Sequence, residues 1–286
     1  MKNILVTGAA GFIGEALDIK LRELGYNVLA FDSQEDISET DMAKRYCDEN
    51  IFHVFHLAAK TFVPESWENP VGFYKTSVLG TNQVLELCRK KNIPLTFISA
   101  YLYGEQLELP ISERATVTPN NPYAHSKYLA EELCRFYSEY YGVKITIARP
   151  FNAYGKKQKE NFLIPIIINQ VLHDSKIVVK SLEPKRDYIY LDDLVDGLIK
   201  TIEITERFSI YNFGSGSEYS VKEIIDIVQN VAGTNKPIVS DQTERKNEIM
   251  HVIADISKAK EELGWSPRFT FEDGITEILK SAIDVK

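Results

Sequence analysis

Little in this chain of 286 residues points to an oxidising, membrane-bound or nucleic-acid-bound setting. Cysteine is scarce. Cys47, Cys88 and Cys134, an odd number at wide spacing, give neither a disulfide framework nor a metal-ligand signature. They are expected to be reduced thiols of a cytoplasmic protein. No basic run is longer than a short loop and the net charge is −8, which argues against nucleic-acid or anionic-membrane partners. No apolar stretch is long enough to span a bilayer, and the N-terminus opens on a strand-like run instead of a signal-peptide core. Internal repeats, low-complexity tracts and long linkers are absent as well. The rest is ordinary globular composition. With 44% hydrophobic and 26% charged residues, this length suits one large α/β domain or two modest ones.

The first half alternates apolar runs with longer amphipathic stretches. Strands are expected at Asn3–Val6, Val28–Phe31, Ile51–His56, Leu95–Ile98 and Lys144–Ala148. Helices are expected near Phe12–Leu24, Asp41–Asp48, Val71–Lys90 and Ala124–Tyr141. Strand and helix in strict alternation imply a doubly wound parallel sheet covered on both faces. Such sheets bind ligands beyond the carboxyl ends of their strands, where the winding reverses. The second half departs from this pattern. Asn161–Leu172 reads as a helix broken near its start by Pro165, and Ser220–Val231 as an amphipathic helix with Val221, Ile224, Ile225 and Val228 on one face. A helix through Leu263 and another from Phe271 to Ile283 close the chain.

Residues of chemical interest follow the strands. Thr7-Gly8-Ala9-Ala10-Gly11-Phe12-Ile13-Gly14 joins the first strand to the first helix. Gly8 permits a tight turn, Gly11 lets backbone approach a pyrophosphate, and Gly14 lets helix pack on strand. The helix N-terminus then offers N–H groups to the anion. Asp32, two dozen residues past Gly8, can accept hydrogen bonds from ribose hydroxyls. A carboxylate there repels a 2′-phosphate, and no Arg or Lys follows until Lys44, so NAD is favoured over NADP. After the third strand, His56-Leu57-Ala58-Ala59 supplies small residues beside a cofactor, with His56 itself a structural strand-end histidine. Ser99 follows the fourth strand. Tyr123 and Lys127 are four apart at a helix start, on one face. An ammonium near a phenol is expected to lower its pKa from about 10, making Tyr123 a usable acid or base.

In this combination the chain resembles the extended short-chain dehydrogenases/reductases, in their branch of nucleotide-sugar epimerases, dehydratases and reductases. The matching residues run nearly end to end. They include the Thr7–Gly14 turn, Asp32, Asp36-Ile37, His56–Ala59, Ser99, Tyr103-Gly104, Tyr123/Lys127, Arg149-Pro150-Phe151-Asn152, Arg186-Asp187-Tyr188 and Tyr211–Gly214. Asp255–Lys258 and Leu263–Pro267 complete the set. The resemblance implies a Rossmann-type domain of 1–150 plus about 187–214 and a smaller, discontinuous nucleotide-sugar domain of about 151–186 plus 215–286. It implies that Gly8, Gly11, Phe12, Ile13, Gly14, Asp32, Leu57, Ala58 and Ala59 hold a nicotinamide dinucleotide, with Asp36 and Ile37 flanking its adenine. Tyr123 is then the proton carrier, Ser99 its helper, and Lys127 also a holder of the nicotinamide ribose. Asn152, Arg186 and Arg245 are implied to contact the diphosphate of the sugar nucleotide.

The implied reaction lies at C4 of the sugar. A 4,6-dehydratase of this family carries Asp-Glu where this chain has Ala100-Tyr101, which argues against dehydration. Reduction of a 4-keto sugar and 4-epimerisation both use the Ser/Tyr/Lys set. The short Asp32–Glu35 segment, and Ser77 in place of the family's Asn, suggest a looser grip on coenzyme and favour a reductase. A non-catalytic dinucleotide sensor is the remote alternative, and such sensors typically lack the Tyr/Lys pair. NADP(H) is not excluded, since sugar-nucleotide reductases often use it. A homodimer through helices 71–90 and 124–141 is implied, with Leu85, Leu129, Leu133, Phe136 and Tyr137 as apolar surface.

Overall fold

The computed structural model describes residues 1–32, 34–241 and 249–283. The elements run β1 (Asn3–Thr7), α1 (Phe12–Glu23), β2 (Asn27–Phe31), α2 (Met42–Arg45), β3 (Ile51–His56), α3 (Val63–Glu68), α4 (Pro70–Tyr74), α5 (Gly80–Lys91), β4 (Leu95–Ile98), α6 (Pro122–Tyr141) and β5 (Ile145–Pro150). They continue β6 (Asn152–Tyr154), α7 (Leu163–His173), β7 (Ile177–Val179), β8 (Lys185–Tyr190), α8 (Leu191–Lys200), β9 (Phe208–Phe213), β10 (Glu218–Ser220), α9 (Val221–Ala232), β11 (Ile238–Ser240), α10 (Ser257–Leu263) and α11 (Phe271–Ile283).

Two compact units emerge. The first comprises Met1–Gly104, Glu113–Pro150 and Val195–Asn212; the second Glu105–Ser112, Phe151–Leu194 and Phe213–Lys286. The chain therefore returns to the first unit at Val195, later than the position near 187 read from the sequence, and Glu105–Ser112 joins the second unit. The isolated bridge between Ile111 and Ala254 explains that assignment.

The first unit is built on a six-stranded sheet ordered β2-β1-β3-β4-β5-β9. Ile4, Leu5 and Val6, like Phe97 and Ile147, are buried, as strands of a sheet covered on both faces must be. The winding reverses between β1 and β3. Register then sets the site. Thr7 pairs with Phe31 and with His56, His56 with Phe97, and Phe97 with Ile147. The carboxyl ends of four strands therefore align, and Gly8, Asp32, Leu57 and Ser99 all emerge at one edge. α1 packs here because Gly14, Leu17 and Leu21 recur on one face and are buried.

The expected helix Val71–Lys90 is not one α-helix. A π-helical turn, Lys75–Leu79, separates α4 from α5. It carries Ser77 inward, where Ser77 Oγ lies 3.1 Å from Ser126 Oγ on α6. Inserted residues of this kind re-aim a helix and recur at functional positions. Of the three thiols, Cys88 on α5 and Cys134 on α6 are buried in the core of this unit, while Cys47 is exposed.

The second unit holds a three-stranded sheet, β10-β8-β6, and a parallel pair, β11-β7. Its core gathers Tyr154, Ile164, Ile167, Ile224, Ile225, Val228 and Ile275. α7 is not broken by Pro165. It starts at Leu163, so the proline falls in the first turn, where its missing N–H has no helical partner to lose. α9 is capped by Ser220, whose side chain accepts from Glu223 N while the Glu223 carboxylate accepts from Ser220 N.

Close packing of α1 on β1 gives a stability prediction. A Cβ at Gly14 would sit 2.1 Å from Gly8 O and 2.9 Å from Ala9 Cα, both backbone. Gly14→Ala should destabilise the fold by about 1–3 kcal/mol, read as a lowered Tm. Gly25→Ala has no atom within 4 Å of the added Cβ, but its φ of 84° makes it a control for backbone strain without crowding.

Candidate active site

The glycine turn begins where Gly8 N donates to Phe31 O at 2.7 Å. Gly8 takes φ 73°, and a Cβ there would meet Ala58 N at 2.8 Å, so both the turn and the neighbouring β3 loop require glycine. Gly11 N–H donates to Gly8 O at 3.0 Å, and Gly11 caps α1 with no side-chain hydrogen bond. The N–H groups that open the helix, those of Phe12, Ile13 and Gly14, are thus left without a capping side chain. This is the donor set that a diphosphate requires. Asp32 is tied to the same turn, its Oδ2 accepting from Ala10 N at 2.8 Å.

His56 locks the third strand end. Thr7 Oγ1 lies 2.7 Å from His56 Nδ1, and His56 Nε2 lies 3.0 Å from Thr81 Oγ1 on α5. Burial, then the nearby Lys127, pushes the imidazole down to about 3, so it is neutral. It is the structural histidine expected. Thr7 Oγ1 also accepts from Ala58 N at 3.2 Å, and Leu57 N donates to Thr7 O at 3.0 Å. Leu57, Ala58 and Ala59 are half-buried beside the glycine turn. The neighbouring Asp36 carboxylate accepts from Ser38 N and Ser38 Oγ at 2.9 and 2.7 Å, and the Ser38 bonds hold it below the usual range. The Ile37 side chain is packed in the core, against the space where Gly80 has no Cβ, so any contact with an adenine belongs to its backbone.

Ser99 follows β4, anchored by its N–H to Ala148 O at 2.8 Å. Its Oγ is buried without a hydrogen-bond partner. A buried orphan hydroxyl costs free energy unless something meets it, which fits a substrate oxygen. α6 brings Tyr123 and Lys127 to the same unit. Asn121 caps it by accepting from Ala124 N at 2.9 Å, and Pro122 occupies its first position. Tyr123 is half-buried and meets Phe73 edge to face at 6.3 Å.

One electrostatic expectation is corrected. Lys127 does not lower the Tyr123 phenol in this structure. Burial, with Tyr101 beside it, raises the phenol, and the Lys127 ammonium is engaged elsewhere. Its Nζ donates to Ile98 O at 2.6 Å and lies 4.6 Å from the Phe97 ring centre. Burial brings that ammonium down to about 8, against Cys134 and Glu131, which raise it.

Behind these residues lies a buried polar network that sequence reading did not assemble. Arg149 Nε donates to Glu131 Oε1 at 3.0 Å, with a second bond from Nη2 to Oε2, and both side chains are 3% exposed. The guanidinium sits 4.9 Å from the Tyr103 ring centre, Tyr103 donates to Asn212 Oδ1, and Asn212 N donates to Glu113 Oε1 at 2.9 Å. Glu131 stands four residues past Lys127, and that spacing was the available signal.

The remaining candidates belong to the second unit. Asn152 Nδ2 donates to Asp187 O at 2.9 Å, and Arg186 Nη1 to Lys185 O at 2.8 Å. Beside Arg186, the buried Asp187 carboxylate accepts from Ser215 N, Ser215 Oγ, Gly216 N and Ala254 N, fixing the local loops. Arg245 lies outside the described residues.

Comparison with known proteins adds the following. A family model described as GDP-mannose 4,6 dehydratase matches residues 33–278. A Methanocaldococcus jannaschii protein provisionally named UDP-glucose 4-epimerase is 33% identical over 96% of this chain and 97% of its own. The GDP-6-deoxy-D-mannose reductase of Pseudomonas aeruginosa is 29% identical over 97% of this chain and 96% of its own. Among solved structures, UDP-glucose 4-epimerase from Thermotoga maritima with UDP-glucose aligns with a TM-score of 0.92 at 28% identity, covering 99% of each chain. RMD from Pseudomonas aeruginosa complexed with NADPH aligns at 0.91 and 28% identity over 100% of each chain.

The buried imidazole sets a pH dependence. The folded value of His56 lies well below 6.5, so between about 3 and 6.5 the unfolded chain binds the extra proton. Stability should fall as pH drops below 6.5, by about 1.4 kcal/mol per pH unit for this group. His56→Gln should reduce that slope in a series of Tm measurements from neutrality down to about pH 5, the equally buried His53 keeping its own share. An unchanged slope would remove the assignment.

Proposed function

Since the chain belongs to the GDP-mannose 4,6-dehydratase family of extended short-chain dehydrogenases/reductases, we propose that it is an NAD(P)-dependent oxidoreductase acting at C4 of a nucleotide-diphosphate sugar, a 4-keto-hexose reductase. The observation that carries an enzymatic reading is the orphan Ser99 hydroxyl at the end of β4, the strand whose last carbonyl receives Lys127. A sensor needs no such group. Reduction is favoured over the family's dehydration because Ala100 and Tyr101 supply no carboxylates for water elimination. It is favoured over epimerisation because the adenosine side is built short. Glu35 N donates to Asp32 O at 3.2 Å, and the short Asp32–Glu35 segment suggests a looser grip on the coenzyme. Epimerisation remains the second reading, supported by the relatives that bear that name.

The roles follow from the side chains. Gly8, Gly11 and the first N–H groups of α1 bind the diphosphate, and Asp32 addresses the ribose. Its carboxylate favours NADH over NADPH, since it would face a 2′-phosphate with like charge. The coenzyme, when bound, supplies the hydride. Ser99 Oγ orients the substrate oxygen and Tyr123 gives it a proton. Lys127 Nζ, brought to about 8, retains its charge at neutral pH and is assigned to the nicotinamide ribose. Asn152, Arg186 and Arg245 are assigned to the sugar nucleotide, a guanidinium fork being well shaped for a diphosphate.

A homodimer is proposed through α5 and α6. The apolar surface differs from the one first expected, since Leu85 and Tyr137 are buried in their own unit. Phe136, one of the residues first expected there, is exposed, and Tyr140 and Tyr141 join it, with Phe136 and Tyr140 ring centres 4.7 Å apart and Arg89 of α5 placed 5.3 Å over Tyr141. Such a patch on a charged surface favours a partner. The three free thiols suit a reducing cytoplasm, and among the described residues no helix is long and apolar enough to cross a membrane.

Two experiments test this. With a 4-keto sugar nucleotide, stoichiometric loss of reduced-nicotinamide absorbance is expected, and Tyr123→Phe should cut turnover by about 10²–10⁴-fold while coenzyme binding persists. Turnover of a saturated UDP-hexose without net coenzyme change would select epimerisation instead. Phe136→Glu combined with Tyr140→Glu should convert a dimer to a 32.6 kDa monomer by light scattering.

A further inference from the structure

Tyr123, Lys127 and Glu131 follow one another at four-residue intervals on α6, so they share one helix face. Opposite charges at such spacing attract, and the attraction grows in a buried setting. Yet Lys127 Nζ donates to the Ile98 carbonyl at 2.6 Å, while Glu131 is bound by Arg149 of β5 through two hydrogen bonds. We propose that Arg149 is a positioning residue: by taking the Glu131 carboxylate in a fork, it keeps that carboxylate from capturing Lys127 and so leaves the ammonium free to serve the coenzyme. This rests on the reading of Lys127 as a coenzyme-holding residue.

Three observations support it. First, Glu131 and Arg149 are each 3% exposed, so neither has water as an alternative partner. A carboxylate in that position must be paired; of the two cations four residues away on its own helix, Arg135 is exposed and pairs with Glu132, which leaves the buried Lys127. Second, Glu131 is the anion acting on Lys127. The other ionisable neighbours, His56 and Cys134, are neutral, because burial lowers the imidazole and raises the thiol. Third, Arg149 is itself restrained. Its guanidinium lies over the Tyr103 ring, whose hydroxyl is fixed on Asn212. A cation so held can dictate where Glu131 points, whereas a mobile one would follow it. Burial alone would depress the guanidinium, but Glu131 more than offsets this and its pKa is raised.

The test measures coenzyme affinity, by quenching of protein fluorescence with NADH and with NADPH, on the full chain. Arg149→Met frees Glu131, which should capture Lys127 and weaken binding by about tenfold or more, the scale of a lost charge-assisted hydrogen bond. Adding Glu131→Gln to Arg149→Met removes the competitor and should restore affinity to within about threefold of wild type. A role in packing alone predicts no such rescue, so equal weakness of the single and double variants overturns the proposal. Wild-type affinity in Arg149→Met overturns it too. If the single variant does not fold, Glu131→Met with Arg149→Met decides, because apolar replacement of a buried pair is commonly tolerated. Near-wild-type affinity there supports the proposal and weak binding overturns it. Failure of the wild-type chain to bind either coenzyme is a separate result, which removes the functional reading itself.

Discussion

Everything in the first unit depends on the parallel register of four strands. Thr7, Phe31, His56 and Phe97 are level with one another, so the residues that follow each strand arrive at one edge of the sheet. Backbone hydrogen bonds of parallel strands cannot slip by one residue without turning buried side chains outward. Here every side chain concerned is buried, which removes the freedom to slip. The bridge from Thr7 through His56 to Thr81 then pins β1, β3 and α5 together at the edge itself. A glycine turn, a carboxylate and a serine that are distant in the chain become neighbours as a result of this one constraint.

On that frame the site divides into two kinds of polar group. Some are satisfied within the protein. His56 is held on both ring nitrogens, and the Glu131 carboxylate accepts two hydrogen bonds from Arg149. Others face the edge of the sheet without internal satisfaction, namely the Ser99 hydroxyl and the uncapped start of α1. Rigidity belongs to the first kind, and the second is open to a ligand. Burial supplies both, since the low dielectric that makes an unpaired group costly also makes a paired one firm.

The fold was largely legible because strand and helix periodicities are local properties. Ile4–Val6, Leu95–Ile98 and the Val221–Val228 face lie where period alone puts them. The π-turn at Lys75–Leu79 was not legible, because Ser77 looks like any polar residue in a helix until α6 is packed beside it. Similarly, the position of Pro165 identified a helix start only once the preceding residues were known to be extended. In the candidate site, the placement of Gly8, Asp32 and Ser99 after their strands, and of Tyr123 and Lys127 on one helix, was legible from spacing. The charge state of the phenol was not. Helical spacing suggested a lowered pKa, but desolvation and the Ile98 carbonyl are tertiary effects, and they prevailed. The Glu131–Arg149 pair joins residues 18 apart in the chain through two elements, which no periodicity reports.

The distribution of thiols has a practical meaning for work on this protein. Two of them are enclosed between helices and sheet, where burial suppresses the thiolate that alkylating and oxidising reagents attack. Cys47, just beyond α2, stands in solvent. The native chain therefore offers a single address for a maleimide fluorophore or spin label, and any labelling beyond one equivalent becomes a direct gauge of how often the core opens.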